Sequence, residues 1–160
     1  MNSRRNFIKK ATVLASGITI LPNFTVSGLG HKAPSDRLNI VGVGIGGKGF
    51  ANLKAMSAEN IIGLCDVDWK YAEKCFKHFP NARKYWDWRK MFDELSNSID
   101  GVMMATPDHT HAIIAARAME MGKHVYCQKP LTHSIYESRL LTKLAARSEE
   151  HTSELQSLLI

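Results

Sequence analysis

Cysteine is scarce: the 160-residue sequence holds three, Cys65, Cys75 and Cys127, and no CxxC spacing links them. That argues against a disulfide scaffold and against a thiolate zinc site. An odd count leaves one without a partner, and the simpler reading is small buried hydrophobes, two of them inside apolar runs. Long apolar stretches are missing as well. Residues 11–21 make one of about half the roughly 20 residues that a membrane-spanning helix needs. An excess of charge of one sign is missing from the body of the chain. The formal net charge is +6, yet Arg4, Arg5, Lys9 and Lys10 supply four of the 21 basic residues, and none of the 15 acids lies before residue 28. The remainder is near balance and shows no basic stripe, which excludes a nucleic-acid partner. No internal repeat or low-complexity segment occurs. The whole sequence is 44% hydrophobic and 22% charged, enough for one globular domain of ordinary size with a tail at each end.

The two ends read differently from the middle. Ser3-Arg4-Arg5-Asn6-Phe7-Ile8-Lys9-Lys10 resembles the twin-arginine export motif, S-R-R-x-F-L-K, and the short apolar stretch behind it suits a signal h-region. Residues 1–27 are expected to be a signal peptide, with Thr25, Ser27 and Gly28 near the cleavage point, and 28–37 a linker. The resemblance implies the twin-arginine export machinery as a partner, no stable membrane span, and a periplasmic or otherwise exported location. At the other end the composition changes at Arg147. Residues 147–160 resemble the translation of a sequencing adapter and are expected to be foreign to the domain.

Between these ends, short apolar runs alternate with helical patterns. Residues 38–43, 61–65, 99–105 and 124–127 read as strands, with 83–86 as a short additional one. Trp69, Ala72, Cys75, Phe76 and Phe79 lie at helical spacing, as do Trp88, Met91, Phe92 and Leu95, then Ile114, Ala118 and Met121, then Tyr136, Leu140, Leu141 and Leu144. Strands alternating with helices of this length predict βαβ units and a parallel sheet covered on both faces. The aromatic stripes are read as helix faces packed on that sheet.

Two glycine registers are possible, Gly42-x-Gly44-x-x-Gly47 and Gly44-x-Gly46-x-x-Gly49. The second places its first glycine just past the strand, where the tight turn belongs. Gly46 would then let backbone approach a pyrophosphate, and Gly49 would permit close helix–strand contact. A helix opening near Gly47 aims its free N–H groups and positive dipole end at the phosphates. The motif also asks for an acid about 20 positions on, at the end of the second strand. Asp66 stands there, placed to accept from the adenosine ribose hydroxyls and to repel a 2′-phosphate, so NAD is expected rather than NADP. Together these predict a Rossmann-type, doubly wound α/β domain over 38–146.

Two further segments close strands. Ala105-Thr106-Pro107-Asp108-His109-Thr110-His111 follows one, and Thr106-Pro107 would bring backbone near the nicotinamide ribose. His109 and His111 form an HxH without a third ligand at suitable spacing, so no metal site is expected. Gly122-Lys123-His124-Val125-Tyr126-Cys127-Gln128-Lys129-Pro130 brings Lys129 to the end of another strand, where partial burial would ease loss of its ammonium proton.

In order and spacing, these motifs make residues 36–146 similar to the Gfo/Idh/MocA oxidoreductase family. The resemblance implies a Rossmann domain paired with a C-terminal α/β substrate domain, which is absent from this chain. It implies NAD(P)-dependent chemistry at a CH–OH group of a sugar, inositol or similar polyol, in a full-length protein expected to be homo-oligomeric. It puts the family's substrate- and nicotinamide-contacting lysine on Lys129 and the histidine of its T-P-x-x-x-H pattern on His111, the two expected catalytic residues, Lys129 foremost. Gly44, Gly46, Gly47, Gly49, Asp66, Thr106, Pro107, His111, Gln128 and Lys129 are the expected cofactor contacts. Gln128 departs from the family's E-K-P by replacing its glutamate. Other readings are an NAD-dependent glycoside hydrolase that oxidises its sugar transiently, and a nucleotide-holding sensor without turnover. This chain alone is expected to bind nucleotide weakly and to turn nothing over.

Overall fold

A computed structural model of the chain describes residues 36–148 and 153–154. The expected signal peptide, most of the linker and most of the tail lie outside the described residues. The compact body begins at Arg37. Its elements are β1 (Asn39–Val43), α1 (Gly47–Ala55), β2 (Asn60–Cys65), α2 (Glu73–His78), β3 (Arg83–Tyr85), α3 (Trp88–Leu95), β4 (Gly101–Met104), α4 (His111–Glu120), β5 (His124–Cys127), α5 (Ile135–Ser148) and β6 (Ser153–Glu154). All strands pair in parallel in the order β3-β2-β1-β4-β5-β6. This is the expected doubly wound Rossmann-type sheet. β6 adds an edge pairing of Ser153 and Glu154 with Tyr126 and Cys127, inside the stretch that the sequence sets apart as a tail.

The strands are apolar on both faces because both are covered. All of Gly101-Val102-Met103-Met104 is buried, as a parallel central strand requires. Alternate residues then sort into two cores. Val41, Val43, Val102 and Met104 meet Met91, Phe92, Ile114 and Leu141 from α3, α4 and α5. Ile40, Leu64 and Met103 meet Leu53 of α1 with Cys75 and Phe76 of α2 on the opposite face. Local chemistry starts α3 where it does: the Asp87 side chain accepts from the Arg89 N–H at 2.9 Å, an N-cap bond.

One element is shorter than its apolar spacing predicts. The stripe from Trp69 to Phe79 contains a helix only over Glu73–His78. Asp68 accepts from Tyr71 N–H through its side chain and from Ala72 N–H through its carbonyl, which holds 68–72 as a turn. Ala72 and Cys75 are buried all the same. Periodicity reports burial, and a tight turn buries the same face.

Candidate functional site

The register aligns the strands' C-terminal ends: Val43 pairs with Cys65 and Met104, Cys65 with Tyr85, and Met104 with Cys127. The ladder then runs one residue further. Gly44 N–H donates to Cys65 O, Ala105 N–H to Val43 O and Gln128 N–H to Met104 O, each at 2.9 Å, and Asp66 N–H to Tyr85 O at 3.2 Å. Asp66, Gly44, Ala105 and Gln128 therefore emerge side by side along one sheet edge. Strand order reverses at β1 and β4 within that row, where open α/β sheets bind ligands.

Gly44 has φ 72°, and a Cβ there would lie 2.8 Å from the backbone of Ala105. A Cβ on Gly49 would run into the carbonyl oxygen of Gly44. Both close approaches suit the register Gly44-x-Gly46-x-x-Gly49. Helix α1 opens at Gly47 with neither a side-chain cap nor an acid in its first turn. Its positive end thus has no anion from its own helix, and the glycine backbone there fits a pyrophosphate.

Asp66 stands beside this turn. Its Oδ2 accepts from Ile45 N–H at 2.8 Å and Gly46 N–H at 3.2 Å, and its Oδ1 from Asp68 N–H at 2.9 Å. Gly44, Gly46, Asp66, Thr106 and Pro107 share one cleft of about 670 Å³. Its walls add residues that the sequence did not single out. Tyr71, 66% exposed, lies across Gly46 and Gly47, where a Cβ on either glycine would meet its ring or hydroxyl. Trp86, 58% exposed, stacks on Trp69 with centroids 4.6 Å apart and planes 12° from parallel. Periodicity groups the aromatics as core, and a residue just past a strand end escapes that pattern.

The opposite wall is the Thr106-Pro107 turn. The Thr110 hydroxyl lies 2.7 Å from both Thr106 Oγ1 and the Pro107 carbonyl and donates at this staple. Asp108 Oδ1 accepts from His109 N–H, and its Oδ2 lies 3.4 Å from His133 Nδ1. The His133 contact and the His109 N–H bond hold the Asp108 carboxyl below the usual range. His111, Gln128 and Lys129 do not line the cleft. His111 is 1% exposed, with Nδ1 2.7 Å from Pro130 O and Nε2 2.7 Å from Thr106 O. Both ring nitrogens face backbone, so the expected direct contact with substrate or cofactor gives way to a buried bridge. Gln128 Oε1 accepts from Lys129 N–H at 2.9 Å, a bond that a glutamate would also make, while its Nε2 is buried without a partner. Lys129 is exposed, which corrects the expected partial burial: the described residues pack nothing over it.

Residues 37–154 match the model of the oxidoreductase family with an NAD-binding Rossmann fold, Gfo/Idh/MocA. The chain belongs to that family. It is similar to a glycosyl hydrolase family 109 protein of Shewanella sp. strain MR-4, 25% identical over 96% of this chain and 39% of the relative. It is also similar to a levoglucosan dehydrogenase of Pseudarthrobacter phenanthrenivorans, 46% identical over 49% of this chain and 20% of the relative. Among solved structures, an NAD binding oxidoreductase from Klebsiella pneumoniae superposes with a TM-score of 0.63 at 30% identity, covering 72% of this chain and 33% of that one. The chain thus spans well under half the length of these relatives.

In this NAD-binding domain of a Gfo/Idh/MocA protein, Cys65, Cys75 and Cys127 are all buried. Burial first, then the charge of Asp66, pushes Cys65 and Cys75 up to about 12. Among the described residues, no cluster of His, Cys, Asp or Glu could hold a metal, and no helix is long and apolar enough to cross a membrane.

Proposed function

We propose that this chain is the cofactor half of an exported, homo-oligomeric oxidoreductase acting on a CH–OH group of a sugar, inositol or similar polyol. The observation that carries the reading is the cradle itself: Gly44 and Gly49 leave no room for a side chain at the positive end of α1, with Asp66 beside it. Gly44, Gly46, Gly47 and Gly49 would hold the pyrophosphate, and the Asp66 carboxylate the adenosine ribose. Stacked Trp86 offers a flat apolar face for the adenine. NAD supplies, when bound, a two-electron acceptor at its nicotinamide C4. Lys129 Nζ would accept the substrate hydroxyl proton while the carbinol carbon is oxidised to a carbonyl. The Thr106-Pro107 turn would hold the nicotinamide side, with His111 and Gln128 behind it.

One observation favours a second reading, an NAD-dependent glycoside hydrolase that restores its cofactor: the likeness to a glycosyl hydrolase family 109 protein along nearly the whole chain. Export rests on the Ser3-Arg4-Arg5 motif alone. The deciding experiment uses the full-length product of the gene. Polyol-dependent NADH formation that disappears in Lys129→Met supports the oxidoreductase. Glycoside cleavage without net NADH favours the hydrolase, and tight NAD retention with neither activity overturns both.

A further inference from the structure

One side chain joins two turns that the sequence keeps apart. Nδ1 of His111 reaches Pro130 O and Nε2 reaches Thr106 O, both at 2.7 Å, in a ring 1% exposed. Both partners are carbonyl oxygens and can only accept. A neutral imidazole carries one N–H, so it donates to one carbonyl and points a lone pair at the other. Either tautomer thus holds one turn by a hydrogen bond and packs its other edge against the second.

Each end of this bridge holds something the site needs. Pro130 directly follows Lys129, whose own N–H is held by Gln128 Oε1 at 2.9 Å. The backbone presenting Lys129 is therefore fixed by Gln128 on one side and His111 on the other. Thr106 belongs to the wall of the nucleotide cleft and is stapled to Thr110. A ring that merely filled space would need no nitrogen on either side.

We propose that His111 is a positioning residue for Lys129: its ring spans Pro130 O and Thr106 O and so ties the Lys129 segment to the cleft wall. This rests on the reading of Lys129 as the proton-accepting group.

The test compares the full-length product of the gene with its His111→Leu and His111→Gln variants. His111→Leu is expected to lose polyol turnover through kcat with the KM for NAD little changed, and the Leu131 amide, next to Pro130, is expected to exchange its hydrogen faster. His111→Gln keeps an N–H donor and is expected to recover part of both. Unchanged kcat and unchanged Leu131 exchange in His111→Leu overturn the proposal. Should that variant fail to fold, His111→Asn, whose shorter side chain cannot span both carbonyls, takes its place with the same two readouts. Faster Leu131 exchange together with full turnover in Lys129→Met overturns the Lys129 reading and leaves the tie standing.

Discussion

The carboxylate of Asp66 accepts the backbone N–H of Ile45 at 2.8 Å, so the end of β2 braces the glycine turn at the end of β1. The same oxygen takes the Gly46 N–H, and the other takes Asp68 N–H. Two carboxylate oxygens offer about four acceptor sites, so capacity remains for a ribose hydroxyl. The residue expected to choose the nucleotide therefore also shapes the turn that receives the phosphates.

Replacing Asp66 should consequently do two things at once. Asp66→Ala is expected to lower thermal stability by about 1–3 kcal/mol, the usual cost of leaving such donors unpaired. It should weaken NAD binding by at least about tenfold, or 1.4 kcal/mol. Asp66→Asn keeps an acceptor for the turn and loses the charge, so it should hold the fold better and shift preference toward NADP. Fluorescence titrations with both nucleotides check this. Unchanged discrimination in Asp66→Asn would remove the carboxylate from the specificity argument.

Gly49→Ala tests the packing of α1 on the turn. Its Cβ would collide with the Gly44 carbonyl, which is backbone and has no rotamer to retreat to. A cost of about 1–3 kcal/mol is expected from overpacking alone, with loss of NAD binding. Gly47→Ala meets only the mobile end of the exposed Tyr71 side chain and a φ of 48°, so it should be milder. Thermal melts of the two variants give the order.

Trp86 offers a test of the adenine wall. Base–aromatic stacking contributes about 1–3 kcal/mol per base in nucleic-acid complexes. Trp86→Ala should weaken NAD by about tenfold or more while changing the melting temperature little, since the ring is 58% exposed. Binding of nicotinamide mononucleotide, which lacks adenine, should not change between the two proteins.

The buried thiols set an alkaline limit. Cys65 and Cys75 remain protonated in the fold up to about 12, while an unfolded thiol ionises near its ordinary value of 9.0. Their contribution to stability is fully present below pH 9.0 and is lost as pH climbs toward about 12. Stability by urea titration should thus fall through that window. At pH 8 neither thiol should react with iodoacetamide until the chain unfolds, because only the thiolate attacks. Mass spectrometry of the alkylated peptides reads this directly, and rapid native labelling of Cys75 would contradict its burial.

Export makes its own prediction. Replacing Arg4 and Arg5 by lysine is expected to hold the protein in the cytoplasm, and cell fractionation shows where it goes. Unchanged appearance outside the inner membrane would discard the twin-arginine reading.

Strand positions and the glycine register were legible in the sequence because both are set locally, by apolar runs and by where those runs stop. Asp66 was legible for the same reason: it is the first residue past Cys65. Tyr71, Trp86 and the partners of His111 were not. Tyr71 is placed by a turn that Asp68 organises, Trp86 by stacking on Trp69, and His111 by two carbonyls from separate turns. None of these is a periodic relationship along the chain. The HxH pattern around His109 and His111 held two unlike residues, one 63% exposed in its side chain and one buried.

The contact between Gly44 and the backbone of Ala105 has a consequence for redesign. Where these two chains meet, the floor of the cleft is built from peptide groups, and an exchange of side chains has little there to alter. The rim is different: Val67, Tyr71 and Trp86 are exposed and can each be replaced without disturbing that floor. The grip on the adenine end of the nucleotide should be open to engineering from the rim, with the peptide floor carried unchanged from one variant to the next.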